Sequence, residues 1–318
     1  MCRRLILIYL FIGISFRSFA SYILIPMDTY QNNHLKSYGI AYWILNQNQN
    51  IKWLLNYRGG AFLVPNSDKI SRECQLRRVS YEVITDSKAT EILNKVNSPS
   101  QNMEAVILEK APKIAVYSPI GKQPWDDAVT LVLSYAEIPY DTVYDTEVIN
   151  DGLLVYDWLH LHHEDFTGQY GKFYRAYKNS SWYINQQKEA EKLAKELGFD
   201  KVSKQKLAVA QKIKDYVLGG GFMFAMCSAT DSFDIALASQ EIDICEPMFD
   251  GDKTTPNYQS KLDYSKTFAF KDFILERDPN VYEFSSIDLT SIRKIAKESD
   301  YFILMDYSAK WDPIPTML

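Results

Sequence analysis

Between Lys113 and Ala238 the chain alternates short apolar runs with longer amphipathic stretches, and this alternation restricts the fold more than any other feature of the sequence. "KIAVYSP", "YDTVYD", "YDWLHLHH" and "FMFAMC" have the lengths of strands, and the first and last are nearly continuous apolar runs. Such runs suit strands buried on both faces of a parallel sheet. Between them lie a helix opening at Pro124, where Asp126 and Asp127 favour the N-terminal dipole, and a helical region from Gln186 to Leu218. Leu207, Ala210, Ile213 and Val217 recur on one face of that region, and the glycines from Gly219 to Gly221 end it. Parallel strands need crossover connections. The expected fold is therefore α/β: a doubly wound, mostly parallel sheet that binds ligands at the carboxyl ends of its strands.

A smaller N-terminal α/β unit precedes this series. It reads as strand "YILIPM", helix "NNHLKSYGIAYWILN", strand "IKWLLNY", loop "RGGAFLVPNS", strand "VSYEVIT" and helix "SKATEILNKV". "NSPSQN" breaks the pattern and marks a boundary, which assigns residues 21–105 to the first unit and 106–318 to the second. Beyond Glu241, "TFAFKDFILERD" and "SDYFILMDYSAKW" read as further strands. The chain stops at "PIPTML" with neither a closing helix nor a polar tail, as a truncated domain would.

Residues 1–20 have the three parts of a secretory signal peptide: basic Arg3 and Arg4, the apolar run "LILIYLFIGISF", and the small-residue site "SFA" before Ser21. Export to the periplasm or the extracellular space is expected, with no integral membrane segment after cleavage. A hydrophobic fraction of 47% against 24% charged residues supports a packed core rather than disorder. The formal net charge of -5, with no Lys/Arg cluster interleaved with aromatics, argues against nucleic acid as a partner. Export permits disulfides, and Cys74, Cys227 and Cys245 remain after cleavage. Pairing of Cys74 with Cys245 leaves Cys227 as a thiol, whereas pairing of Cys227 with Cys245 removes it.

Two segments carry chemistry. Cys227 follows an apolar strand and begins a polar helical stretch, where backbone N–H groups and the helix dipole stabilise a thiolate nucleophile. The competing reading is a buried structural cysteine with Ser228 or Thr230 as the helix cap. Asp231 and Asp234 nearby oppose a second negative charge. Three of the four histidines lie in "HLHHED", beside Glu164 and Asp165. Alternation places His160 and His162 on one face of a strand and His163 on the other. One of them can serve as a base oriented by Glu164 or Asp165; His160 and His162 can bind zinc with a carboxylate; or all three can be hydrogen-bonded structural residues. The segment matches H-x-H-x-D-H metal sites only in part, because its Asp comes one residue late. "CSATDS" could cradle phosphate at a helix N-terminus, but has Ala229 and Thr230 where such loops use glycine. Arg58 with Gly59 and Gly60 offers a further anion loop.

Five long runs, among them "KIAVYSPIGKQPWDDAVTLVLSYAEIPYD", "YDWLHLHHEDFTGQYGKFY" and "GGGFMFAMCSATDSFDIALA", resemble an exported bacterial family commonly labelled asparagine synthetase B. Glutamine-dependent enzymes of that name use an N-terminal cysteine, but Cys2 here lies in the leader, and the ATP loop is missing. ATP-dependent asparagine synthesis is not expected. "YVLGGGFMFAMCSA" is more distantly similar to the segment before the nucleophile in class I glutamine amidotransferase-like folds, with Ala225 and Ala229 in place of the elbow glycines. That resemblance implies a cysteine-dependent amide hydrolase or transferase in which Cys227 attacks, His162 or His163 moves the proton and Glu164 orients it. In those folds the histidine lies on a later segment, and no histidine follows His163 here. The implied substrate is a small-molecule, peptide or glycan amide, with no cofactor and no metal. The rival reading is a non-catalytic envelope binding or assembly protein on the same fold.

Overall fold

The computed structural model describes residues 21–119 and 128–287. The expected leader, the opening of the helix at Pro124 and the run "SDYFILMDYSAKW" lie outside the described residues. The described residues divide into two compact units: one holds residues 21–111 together with Val132–Ile138, the other residues 112–119, 128–131 and 139–287.

The first unit is a five-stranded sheet, antiparallel throughout, in the order β4-β1-β3-β2-β5. Its strands are β1 (Ser21–Ile25), β2 (Ile51–Leu55), β3 (Ala61–Pro65), β4 (Glu82–Thr85) and β5 (Glu104–Leu108). Leu54 pairs with Ala61 across a tight hairpin, a connection too short for parallel pairing. Strand β3 corrects the reading of "RGGAFLVPNS" as a loop. Ala61, Phe62, Leu63 and Val64 are all buried, because β3 is the central strand and is covered on both faces. Helices α1 (His34–Leu45) and α2 (Asp68–Leu76) pack with Ile23 and Ile25 on one face. Helix α3 (Asp86–Val96) packs with Leu24 and Leu63 on the other. The sequence reading missed α2, although Ser67 caps it through Ile70 N at 3.2 Å, and Ile70 and Cys74 form its buried face at i, i+4. Strand β5 pairs with β2 from Leu108 to Glu104, so the sheet runs past residue 105.

The second unit contains four parallel strands, β6 (Ile114–Tyr117), β7 (Asp141–Val143), β8 (Trp158–Leu161) and β9 (Phe222–Ala225), in the order β7-β6-β8-β9. All three neighbouring pairs are parallel, as the apolar runs imply. The second unit is thus an α/β sheet whose strand order reverses direction between β6 and β8. Helix α4 (Ala128–Ala136) follows β6 in the chain. Helices α5 (Asp145–Ile149), α6 (Ser181–Glu196), α7 (Val202–Leu218) and α8 (Ser228–Ala238) follow. Leu159 and Leu161 of β8 join Val209, Ile213, Phe233 and Leu237 in one core.

Three expectations change here. The helical region from Gln186 to Leu218 is two helices, because Gly198, at φ 87°, ends α6 in a conformation that costs glycine little. The buried face of α7 runs through Gln205, Lys206, Val209, Ala210, Ile213 and Tyr216, so it is rotated from the expected face and carries a lysine inward. "TFAFKDFILERD" forms no strand; its one pairing is an isolated bridge between Leu275 and Ser285. Phe273 and Leu275 instead pack against Ile235 and Ala238.

Candidate functional site

In an open parallel sheet, ligands sit outside the carboxyl ends of the strands, where the strand order reverses. Here that point lies between β6 and β8, and the chain leaves β8 into His162, His163 and Glu164. The last ladder hydrogen bond runs from Met226 N to Leu161 O at 3.0 Å, so these three residues lie just beyond the sheet.

The histidines divide differently from strict alternation. His160, still within β8, is 1% exposed and stacks on Phe224 with ring centroids 5.7 Å apart. It is a core residue. The His162 and His163 rings lie 3.6 Å apart on one another rather than on opposite faces, because the pleat ends at Leu161. Glu164 Oε2 accepts the His162 backbone N–H at 2.6 Å. Asp165 holds its own loop: its carboxylate accepts from Thr167 N at 2.7 Å, from the Thr167 hydroxyl at 2.6 Å and from Gly171 N at 2.9 Å. Gly168 in that loop has φ 83° and approaches Ser203 so closely that a Cβ would lie 2.8 Å from the Ser203 Cα.

Cys227 sits between β9 and α8 with φ 50° and ψ -137°. A residue bearing a Cβ rarely adopts that region, and a turn held there presents its side chain outward at the head of the following helix. Cys227 is exposed, whereas Ala229, two residues on, is fully buried. Ala225 packs against the same core as Ala229, so the two alanines meet the need for small residues around the turn. Ala229 N donates to His162 O at 3.2 Å, which ties the first turn of α8 to the histidine loop. The two segments singled out from sequence are therefore neighbours on one rim.

No disulfide joins Cys74, Cys227 and Cys245. Burial pushes the Cys74 thiol up to about 12, and burial also raises Cys245. The carboxylates flanking Cys227 have other work. Asp234 is buried and accepts the backbone N–H groups of Phe268, Ala269 and Phe270, each at 2.8 Å. Asp231 is also buried, with the Ser285 hydroxyl 3.4 Å from its Oδ2.

Sequence reading missed a buried polar cluster at the carboxyl ends of β6 and β7. Lys206 Nζ lies 2.9 and 2.8 Å from the two Asp145 carboxylate oxygens, 3.0 Å from the Tyr117 hydroxyl and 3.1 Å from that of Tyr144. The Tyr117 hydroxyl also donates to Asp145. Burial opposes the charge on Lys206, but Asp145 and Tyr144 together outweigh it and raise the lysine pKa. Burial, reinforced by Asp145, raises Tyr117 as well. A lysine in a helical pattern gives no sign from sequence that its face turns inward.

Among the described residues, the one group with metal-ligand geometry is Asp243, Cys245 and Asp250, which includes none of the histidines. Lys201 Nζ already lies 2.7 Å from Asp243, 3.0 Å from Asp250 and 2.6 Å from Asp252, so an ammonium already sits among these carboxylates. Arg58 does not form an anion loop: it pairs with Asp28 at 2.7 Å and Glu82 at 2.6 Å. No protein-family model, curated protein or solved structure matches this chain.

Proposed function

We propose that this protein is a cysteine-dependent amide hydrolase or transferase on a class I glutamine amidotransferase-like sheet, exported as its leader implies. The observation that carries the reading is the Cys227 turn: an exposed thiol held at φ 50° between a parallel strand and a helix N-terminus, with that helix hydrogen-bonded to the loop bearing His162, His163 and Glu164. Strain concentrated at one reactive side chain is a mark of pre-organised nucleophiles.

In this reading an imidazole of the His162–His163 pair takes the thiol proton, and Cys227 Sγ bonds to the amide carbonyl carbon. The proton then passes to the departing nitrogen as the C–N bond breaks, which leaves a thioester. Water attacks the thioester, the same imidazole accepts its proton, and the acid is released with the thiol restored; an amine in place of water gives transfer. The Ala229 N–H is engaged with His162 O, so the Ser228 N–H is the first-turn donor for the oxyanion. Glu164, through the His162 backbone N–H, holds the base loop.

Two measurements test this. Alkylation of Cys227 by a mild thiol reagent, followed by peptide mass spectrometry between about pH 5 and 9, should outpace free cysteine at the acidic end. Primary amides, peptides and N-acylated amino sugars should then release ammonia or amine in a reaction abolished by Cys227→Ser. An ordinary cysteine profile, with no Cys227-dependent release, would refute the reading in favour of the non-catalytic binding protein.

A further inference from the structure

A serine inside a helix commonly turns its hydroxyl back on the carbonyl four residues earlier. Ser239 at the end of α8 does so, donating to Ile235 O at 2.7 Å. Ser232, five residues past Cys227 and fully buried, does not. Its hydroxyl reaches out of the helix and donates to Glu164 O at 2.8 Å, while Phe166 N donates to the Ser232 Oγ at 3.4 Å. With Ala229 N on His162 O, helix α8 holds the loop after β8 at three backbone points, residues 162, 164 and 166.

The sheet cannot fix this loop, because the ladder ends at Leu161. What sets the histidines and Glu164 relative to Cys227 is the helix that Cys227 itself begins. Ser232 is the side chain in that connection, satisfying a carbonyl and an N–H on two sides of Asp165. We infer that Ser232 is a positioning residue: it fixes the register between the nucleophile turn and the His162–Glu164 loop. This rests on the cysteine-hydrolase reading, since only a site that moves a proton between the two segments needs the register held. A displacement of about 1 Å between reacting groups is enough to cost on the order of 100-fold in rate.

The test compares Ser232→Ala with Ser239→Ala in the full chain. Both remove a buried hydroxyl from the same helix, but only the first loosens the loop. Thermal unfolding measures the structural cost of each, and the pH profile of Cys227 alkylation reports the site. Ser232→Ala should move that profile toward free cysteine and lower kcat of amide release by about 10- to 100-fold with little change in KM. Ser239→Ala should lower the melting temperature and leave the profile in place. Ser232→Cys, which keeps the size and a weaker donor, should fall between wild type and Ser232→Ala, and it decides the matter if Ser232→Ala does not fold. Wild-type reactivity in the Ser232 variants, or equal shifts in the Ser232 and Ser239 variants, would overturn the inference while leaving the hydrolase reading intact. An ordinary thiol in the wild type would overturn both.

Discussion

Replacing Cys227 with glycine should make the protein more stable than replacing it with alanine, against the usual order of the two residues. The backbone there sits at φ 50° and ψ -137°, so any residue with a Cβ carries strain of about 1–3 kcal/mol that glycine avoids. Glycine gives back about 0.4–1 kcal/mol by making the unfolded chain more flexible. The remainder is about 1 kcal/mol, at most about 2.5, in favour of Cys227→Gly. The Cys227 side chain is exposed, so Cys227→Ala removes little packing and is the proper reference. For a domain of this size, about 1 kcal/mol is a rise of roughly 2–4 °C in melting temperature. Urea unfolding of Cys227→Gly, Cys227→Ala and wild type, fitted with one common slope, measures the difference directly. A glycine variant that unfolds before the alanine variant would show that the turn is unstrained and would remove the main support for a pre-organised nucleophile.

Lys206→Met should cost about 3–5 kcal/mol, because it leaves the Asp145 carboxylate buried with its cation removed. The double variant Lys206→Met/Asp145→Leu should recover much of that loss in urea unfolding, and a single variant within about 1 kcal/mol of wild type would contradict the burial argument. The hydrogen bond from Arg58 holds the Asp28 carboxyl below its ordinary value. A depressed folded-state pKa contributes stability above the unfolded value, and that contribution is lost as pH falls through the folded one. The melting-temperature gap between wild type and Asp28→Asn should therefore be present at neutral pH and close below about pH 3.9; a gap that persists in strong acid would assign it to packing instead.

The parallel sheet was legible because strands covered on both faces leave continuous apolar runs, and "KIAVYSP" and "FMFAMC" are such runs. The same logic should have found β3, but Gly59 and Gly60 before it and Pro65 with Asn66 after it look like loop punctuation around "AFLV". Cys227 could be placed on a strand-to-helix turn from "FMFAMCSATDS" alone. Its backbone angles could not be read, since they follow from where β9 and α8 are each pinned. The histidines show a related limit: period-two alternation holds only while the ladder continues, and the sequence does not state that β8 stops at Leu161.

By itself the sequence determined where the four parallel strands of the second unit lie and which segments bear thiol, imidazole and carboxylate, because apolar runs and residue chemistry are local. Tertiary structure alone decided that Lys206 turns inward to Asp145, that Ser232 reaches Glu164 rather than its own helix, and that Ala229 N ties the Cys227 helix to His162 O. Each of these depends on a partner tens of residues away, and burial satisfies a polar group with whichever partner the packing brings within hydrogen-bond reach.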